Sequence, residues 1–276
     1  MSVSERVEGH YGSEGIAQRI LAALRAEIGP AAPVTPDALA PLDHFHGRGV
    51  LATRELAAML DPKPGEAVLD IGCGIGGPAR WIADKFGCRV TGVDLTHAFI
   101  QAAEALNAAA GMSGKVTVRR ASALDLPFPA ASFDRAYSQN VVMNIADKAK
   151  FYSEAYRVLR PGGVLALSNG ASGAGGPPYF PVPWAESAET SFLSTIEETR
   201  QDIAAAGFAI LRFHDTTDDI RAQVAGQRRR IETEGYPKLG LHVLIGERMK
   251  TYQLNSLRSV EDGRMRMVEV LARKAG

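Results

Sequence analysis

The chain has 276 residues, with 31 Lys and Arg against 31 Asp and Glu, so its formal net charge is zero. That length suits one α/β domain with insertions around a sizeable core, and the charge balance gives no general attraction for phosphate backbones, which speaks against nucleic acid as the main partner. Two cysteines, Cys73 and Cys88, lack metal-ligand spacing and point to a reduced, cytoplasmic protein, while a polar start and the lack of any apolar stretch of about 18 residues predict neither a leader nor a membrane span.

Residues 16–28 repeat apolar side chains at Ile16, Ile20, Leu24 and Ile28, one face of a helix. The segment 29–49, GPAAPVTPDALAPLDHFHGRG, is broken by four prolines and reads as a linker or a lid over a site. Residues 50–60 read as a helix that stops before Asp61-Pro62. From Glu66 onward short apolar runs alternate with helical patterns, the signature of βαβ units around a parallel sheet, with strands expected at 66–71, 89–93, 116–120, 133–137, 163–168, 208–213 and 265–273. Pro161-Gly162-Gly163 marks the turn into the fifth strand, 170–187 is a Gly- and Pro-rich connection beside a sheet end, and roughly fifty residues between the sixth and seventh strands read as a helical cap. Within that cap, Arg228-Arg229-Arg230 reads as a solvated helix face. The expected divisions are an N-terminal cap over 1–60, a core over 61–214, a cap insertion over 215–263 and the last strand over 264–276.

The run Ala67-Val68-Leu69-Asp70-Ile71 is apolar except for one carboxylate near its end, and glycines follow at 72, 74, 76 and 77, with Pro78 suited to a first helical turn. Glycine there lets a ligand approach the backbone at a strand end. Asp94, 24 residues after Asp70, closes the second strand, where a carboxylate accepts hydrogen bonds from ribose hydroxyls. Asp70 discriminates between ligands: its charge is unwelcome beside a pyrophosphate and an asset beside an ammonium and a sulfonium.

The segments VLDIGCGIGG and VTGVD, with ALDLPFPAASFD at 123–134 and RVLRPGGVLALSN at 157–169, resemble the class I S-adenosylmethionine-dependent methyltransferases over roughly residues 65–170. The resemblance implies a Rossmann-like α/β fold: a seven-stranded sheet, six strands parallel and the last antiparallel, with helices on both faces. It implies S-adenosyl-L-methionine as cofactor and S-adenosyl-L-homocysteine as product. It also implies that Asp70, Gly72 and Gly74 anchor the methionine end, that Asp94 holds the ribose, and that Leu95 covers the adenine. Ser122 and Ala123 would meet the adenine edge, and Gln139 would line the methionine portion and the substrate entry. The family usually has an aspartate at the position of Ser122, so the contact to the adenine amino group is expected to be weaker or made elsewhere.

Outside this core, HYGSEG at 10–15, LDHFHGRGVLATRELA at 42–57, SQNVVMNIADK at 138–148 and YFPVPWAES at 179–187 are similar to the small-molecule branch that includes sarcosine and dimethylglycine N-methyltransferases, and more distantly to ring C-methyltransferases of quinone and tocopherol pathways. That similarity implies N-methylation of a small amine. The alternatives are C- or O-methylation of an aromatic or quinone precursor, or a non-catalytic adenosylmethionine-binding regulator. Tyr11, Phe45, Tyr179, Phe180 and Trp184 offer aromatic surface to a cation on mobile segments. Tyr11, His46, Asn144 and Trp184 are the expected substrate residues, with His46 the candidate proton acceptor. Methyl transfer to a desolvated, aligned nucleophile needs no catalytic triad. His44 and His46 lie two residues apart with no third ligand, so no metal is expected, and His46 reads either as a polar group bordering the pocket or as a satisfied structural histidine. Asn140 could orient a carboxylate or cap a helix. The expected partners are a small-molecule methyl acceptor and at most a second copy of the chain, with no nucleic acid and no membrane insertion.

Overall fold

The computed structural model describes residues 15–276 apart from 45, 47, 236, 243–245 and 247. Helix α1 (Ile16–Ile28) buries Ile16, Ala17, Ile20 and Leu24, the face its periodicity predicts, and ends at Gly29. The segment expected as a linker or a lid is not irregular throughout but holds α2 (Pro36–Asp43). Its prolines explain the correction. Thr35 Oγ1 accepts the Ala38 N–H at 3.1 Å as an N-cap, and Pro36 takes the first helical position, where its missing N–H would have had no partner. Helix α3 (Val50–Leu60) follows and stops at Asp61, which turns the chain in a left-handed conformation.

Seven strands then form one sheet in the order β3-β2-β1-β4-β5-β7-β6. They are β1 (Ala67–Ile71), β2 (Arg89–Asp94), β3 (Val116–Arg120), β4 (Phe133–Gln139), β5 (Leu159–Ser172), β6 (Phe208–Asp215) and β7 (Met265–Lys274). All pairings are parallel except those of β7, which runs antiparallel to both β5 and β6. Strand β5 is longer than expected at both ends. It begins at Leu159, because Pro161 forces the preceding residue out of helical geometry, and it extends to Ser172 along β7.

Each face of the sheet is covered, as parallel strands require. Leu69, Ile71, Val93, Ala136, Leu165, Leu167 and Val270 share a core with the helices α6 (Lys148–Val158) and α7 (Ile196–Ala205). Val68, Val90, Val116, Tyr137, Val164 and Ala166 pack against α3 and α4 (Gly77–Phe86). Helices α1 and α2 dock on α5 (His97–Ala109) and on Ile75 of the glycine-rich loop, through Ile20, Leu24, Leu39, Leu42, Phe99 and Leu106. Between β6 and β7 the expected insertion holds α8 (Thr217–Glu234) and α9 (Arg248–Glu261). The side chains of Arg228 and Arg230 in α8 lie outside the described residues. Among the described residues no helix is long and apolar enough to cross a membrane. The strand order reverses between β1 and its two neighbours, β2 and β4, and in such sheets the crevice beyond the carboxyl ends at that reversal is where ligands bind.

Candidate functional site at the carboxyl ends of β1, β2 and β4

The loop after β1 is shaped by glycines in the left-handed region. Gly72 (φ 86°) and Cys73 donate their backbone N–H groups to the Val93 carbonyl at 2.8 and 2.9 Å, tying the loop to the end of β2. A Cβ at Gly72 would come within 2.3 Å of the Val141 side chain, so only glycine lets the loop after β4 lie against it. A Cβ at Gly77 would stand 2.2 Å from the Asp43 carbonyl, so that glycine admits the end of α2. Gly74 N–H donates to Asp94 Oδ2 and Thr96 N–H to Asp94 Oδ1, both at 2.9 Å. Two backbone donors thus hold the Asp94 carboxylate in one orientation, and each oxygen keeps capacity for a further hydrogen bond.

Asp70 is buried at the end of β1 and accepts a hydrogen bond from the Tyr137 hydroxyl at 2.8 Å. Burial pushes its carboxyl up to about 7; the Tyr137 hydroxyl opposes that shift, and the charge of Asp94 adds to it. Burial also raises Asp94, against the N–H groups of Thr96 and Gly74. Two carboxylates therefore share a desolvated site in which a cation would relieve both.

The other predicted residues divide into those at this crevice and those engaged elsewhere. Leu95 follows Asp94, and its carbonyl accepts from Arg120 Nε at 3.0 Å. Ser122 and Ala123 follow Ala121, whose N–H donates to the Asp94 carbonyl at 3.0 Å, and Ser122 Oγ accepts the Leu124 N–H at 3.1 Å. Gln139 ends β4, where its Oε1 accepts from Thr53 Oγ1 at 3.3 Å; Thr53 Oγ1 is in turn 3.3 Å from His46 Nε2. His46 thereby joins α3 and β4 at the crevice. Asn140 adopts a left-handed conformation (φ 57°) with its N–H on the Ser168 carbonyl, a turn that carries the chain to Val141.

One expectation about side chains needs correction. Trp184 and Asn144 do not present free polar or aromatic surface. Trp184 packs with Met143, Val182, Val260 and Met265 and donates its indole N–H to Ser191 Oγ at 3.0 Å. Asn144 Nδ2 donates to the carbonyls of Trp184 (2.8 Å) and Thr190 (3.2 Å), so it fastens the segment that carries the tryptophan. Tyr179 lies between the guanidinium groups of Arg258 and Arg264 and donates to Asp262, and Phe180 packs against the Trp184 cluster. These aromatics are held in a packed strap because Tyr179 N–H and the Pro181 carbonyl are both bound by α9, through Ser259 and Asn255. His44 Nδ1 meets Asp43 Oδ1 at 2.8 Å, and its buried Nε2 has no hydrogen-bond partner among the described residues. It also lies past the end of α2, and its ring meets that of His46 edge-on, with centroids 5.8 Å apart. Tyr11 and Phe45 lie outside the described residues.

Sequence reasoning missed Arg80, Asp43, Thr53 and Tyr137. Arg80 is fully buried. Its terminal nitrogens donate to Asp43 Oδ2 (2.9 Å), the Ile75 carbonyl (2.7 Å), Asn107 Oδ1 (2.8 Å) and the Ala103 carbonyl (3.4 Å). One signal for it exists in the sequence: on α4, Arg80 stands one turn before Ala83 and one turn after Gly76, on the face that is otherwise small and apolar.

Residues 69–167 match the model of a family described as a methyltransferase domain. An O-methyltransferase of Aspergillus sclerotiorum is 35% identical over 170 residues, 61% of this chain and 64% of the relative. Phosphoethanolamine N-methyltransferase 1 of Arabidopsis thaliana is 31% identical over 194 residues, 67% of this chain and 37% of the relative. The chain thus spans less than two thirds of the length of both. Among solved structures, phosphoethanolamine N-methyltransferase 2 of Haemonchus contortus, in complex with phosphomonomethylethanolamine and S-adenosylhomocysteine, superposes with a TM-score of 0.75 at 22% identity, covering all of this chain and 61% of that one. The matched segment runs from β1 into β5 and so contains the glycine loop, Asp94 and Gln139: over residues 69–167 this chain matches a methyltransferase domain, and it shares the fold of the Haemonchus methyltransferase.

Proposed function

We propose that the chain transfers a methyl group from S-adenosylmethionine to a small-molecule acceptor, most simply an amine. The observation that carries this is the pair of carboxylates at the reversal of strand order, the buried Asp70 and the partly exposed Asp94, with Asp94 oriented by Gly74 and Thr96. The donor set fits the cofactor: a fixed acceptor for ribose hydroxyls, a second buried acid for positive charge, and an unpartnered amide nitrogen on Gln139 facing no protein acceptor. On this reading Asp94 holds the ribose, with Leu95, Ser122 and Ala123 beside the adenine, and Asp70, Gly72, Gly74 and Gln139 hold the methionine end.

When bound, the cofactor supplies an electrophilic methyl group on a sulfonium. The protein's part is to exclude water and align a nucleophile in line with that carbon. His46, hydrogen-bonded towards Thr53, is the candidate for taking a proton from a protonated amine before attack. Beyond β4 the chain is braced by two side chains: Asn144 Nδ2 binds the carbonyls of Trp184 and Thr190, and Lys148 Nζ donates to the carbonyls of Val142 and Ile145 at 2.5 Å and of Phe192 at 2.6 Å. On this reading the described part of the N-terminal cap covers the glycine loop, where Leu39 and Leu42 pack with Ile75. An amine acceptor is favoured by the loop resemblance and by the N-methylating relative; the O-methylating relative supports oxygen as the alternative acceptor atom. The test is transfer of a labelled methyl group to a panel of small amines, glycine and its N-methyl derivatives, phenols and quinone precursors. Labelling of an amine is expected. Labelling of phenols alone would move the acceptor atom to oxygen, and cofactor binding without transfer to any acceptor would favour a binding protein.

Asp70 gives this reading a pH signature. A carboxyl at about 7 in the empty site must be ionised to meet a cation, so adenosylmethionine affinity is expected to fall about tenfold per pH unit below neutrality and to level off above it. Asp70→Asn should bind more weakly and lose that slope. The sign for stability is opposite. A carboxyl raised in the folded state disfavours folding as pH climbs from the ordinary 3.8 towards 7, so the empty Asn variant should melt higher than the wild type at neutral pH. Calorimetric titrations across this range, with melting curves on the same samples, check both; a flat wild-type affinity would remove Asp70 from contact with positive charge.

A further inference from the structure

The sheet face that α3 covers turns polar towards the carboxyl end of β4. Tyr137, Ala166 and Leu271 pack there in the apolar core, and two residues nearer the ligand edge, on the same face of each strand, stand Gln139, Ser168 and Glu269. The ladder sets these in one row: Gln139 pairs with Ser168, Ser168 with Glu269, and Glu269 with His214 of β6. Thr53 of α3 bonds Gln139, and the charges of Arg48 and of Glu55 in α3 act on Glu269, so the row faces the N-terminal cap.

Glu269 is the anomaly in this row. It is only 7% exposed, yet among the described residues it has no hydrogen bond and no ion pair. The positive groups around it are engaged or solvated: Arg48 is paired with Glu55, His214 Nε2 lies 4.0 Å from Asp219 Oδ2, and Arg212 is exposed. Burial first, and then the charge of Glu55, raise the Glu269 carboxyl above its ordinary value against the opposing charges of Arg48, Arg212 and His214. A buried carboxylate left without a partner is costly, and one beside a ligand crevice is matched to a cation from outside the chain.

The position of Glu269 identifies that cation. At about 4.8 Å per strand it lies roughly 10 Å across the sheet from Gln139, where the proposed methionine end of the cofactor sits, with Ser168 between them. One ammonium cannot reach both. Resting on the methyl-transfer reading above, we infer that Glu269 forms an ion pair with the ammonium group of the methyl acceptor and so selects cationic amines over neutral alcohols of the same size. Cofactor and acceptor are then held by separate carboxylates, Asp70 and Asp94 on one side of Gln139 and Glu269 on the other.

The experiment titrates the full chain, saturated with S-adenosylhomocysteine, with ethanolamine and with ethane-1,2-diol, a neutral molecule of nearly the same shape, and follows both by NMR at neutral pH. The wild type should bind ethanolamine at least about tenfold more tightly, the worth of a hydrogen bond between charged groups. In Glu269→Gln that preference should vanish, S-adenosylhomocysteine should bind as in the wild type, and the melting temperature should be no lower, because the variant loses an unpaired buried charge. No preference in the wild type, or a preference that survives in the variant, overturns the inference. A lower melting temperature also overturns it, since Arg48 or Arg212 would then already hold the carboxylate. Weakened S-adenosylhomocysteine binding in the variant alone does the same by moving Glu269 into the cofactor site. A wild type that does not bind S-adenosylhomocysteine removes the cofactor reading itself, and this inference with it.

Discussion

Replacing Arg80 with methionine is expected to lower the stability of the fold by about 3–5 kcal/mol, the range for removing one partner of a buried ion pair. For a chain of this size that corresponds to a fall in melting temperature of roughly 10 °C. Methionine fills most of the volume, so the loss is electrostatic. It strands the Asp43 carboxylate, which is buried, and orphans the Ile75 carbonyl and Asn107 Oδ1. Burial alone would raise the Asp43 carboxyl, but the Arg80 guanidinium and the His44 N–H more than offset it and hold it below its ordinary value of 3.8. The pair therefore contributes stability that is fully present above 3.8 and is lost as pH falls through the lower folded-state value. In Arg80→Met that contribution disappears, so the gap between variant and wild type should narrow in acid. Asp43→Leu combined with Arg80→Met should recover part of the loss, because a buried pair replaced by apolar groups leaves neither charge stranded. A pH series of melting curves on the single and double variants decides this. A single variant as stable as the wild type at neutral pH would mean that the network holds nothing together.

How much of this was legible in the chain depends on whether the determinant is local. The seven strands could be read because each is a short apolar run bounded by turn residues, and the ligand crevice because Asp70, the glycines and Asp94 lie on one strand-loop-helix-strand unit. Helix α2 was hidden by prolines that look like breakers, although Pro36 starts the helix and Thr35 caps it. The Asp43–Arg80 pair was hidden because its partners are 37 residues apart, and an arginine on an amphipathic helix is usually at the surface. Trp184 shows the same limit from the other side. An aromatic residue in a Pro-rich segment has the same local appearance whether it meets a substrate or Met143 and Val260, and only the docking of α9 on that segment makes it core. The unpaired Nε2 of His44 belongs to this class as well, since a hydrogen bond that is not made leaves no mark in a sequence.

Asp94→Ala should reduce adenosylhomocysteine affinity by about a hundredfold or more while the protein remains folded. The size follows from geometry. The carboxylate already receives the Gly74 and Thr96 N–H groups, so it stands preorganised, and two ribose hydroxyls donating to a charged acceptor lose their partner at once. The small effect on the fold follows from the electrostatics. Burial raises the Asp94 carboxyl in the empty protein, so its charge is a burden there, relieved only in part by those N–H donors. Removing it trades two backbone hydrogen bonds against that burden and against repulsion from Asp70, whose carboxyl stays raised because burial is the main cause of its shift. Asp94→Asn separates charge from hydrogen bonding. Its single amide oxygen can serve either Gly74 or Thr96 but not both, and its NH2 group faces an N–H donor, so its affinity should lie close to that of the alanine variant. Calorimetry gives the affinities and thermal melting reports the fold. Undiminished affinity in a folded Asp94→Ala would place the ribose elsewhere and leave the glycine loop as a packing device between β1 and α2, whereas a hundredfold loss at an unchanged melting temperature is the outcome that a ligand-holding carboxylate requires.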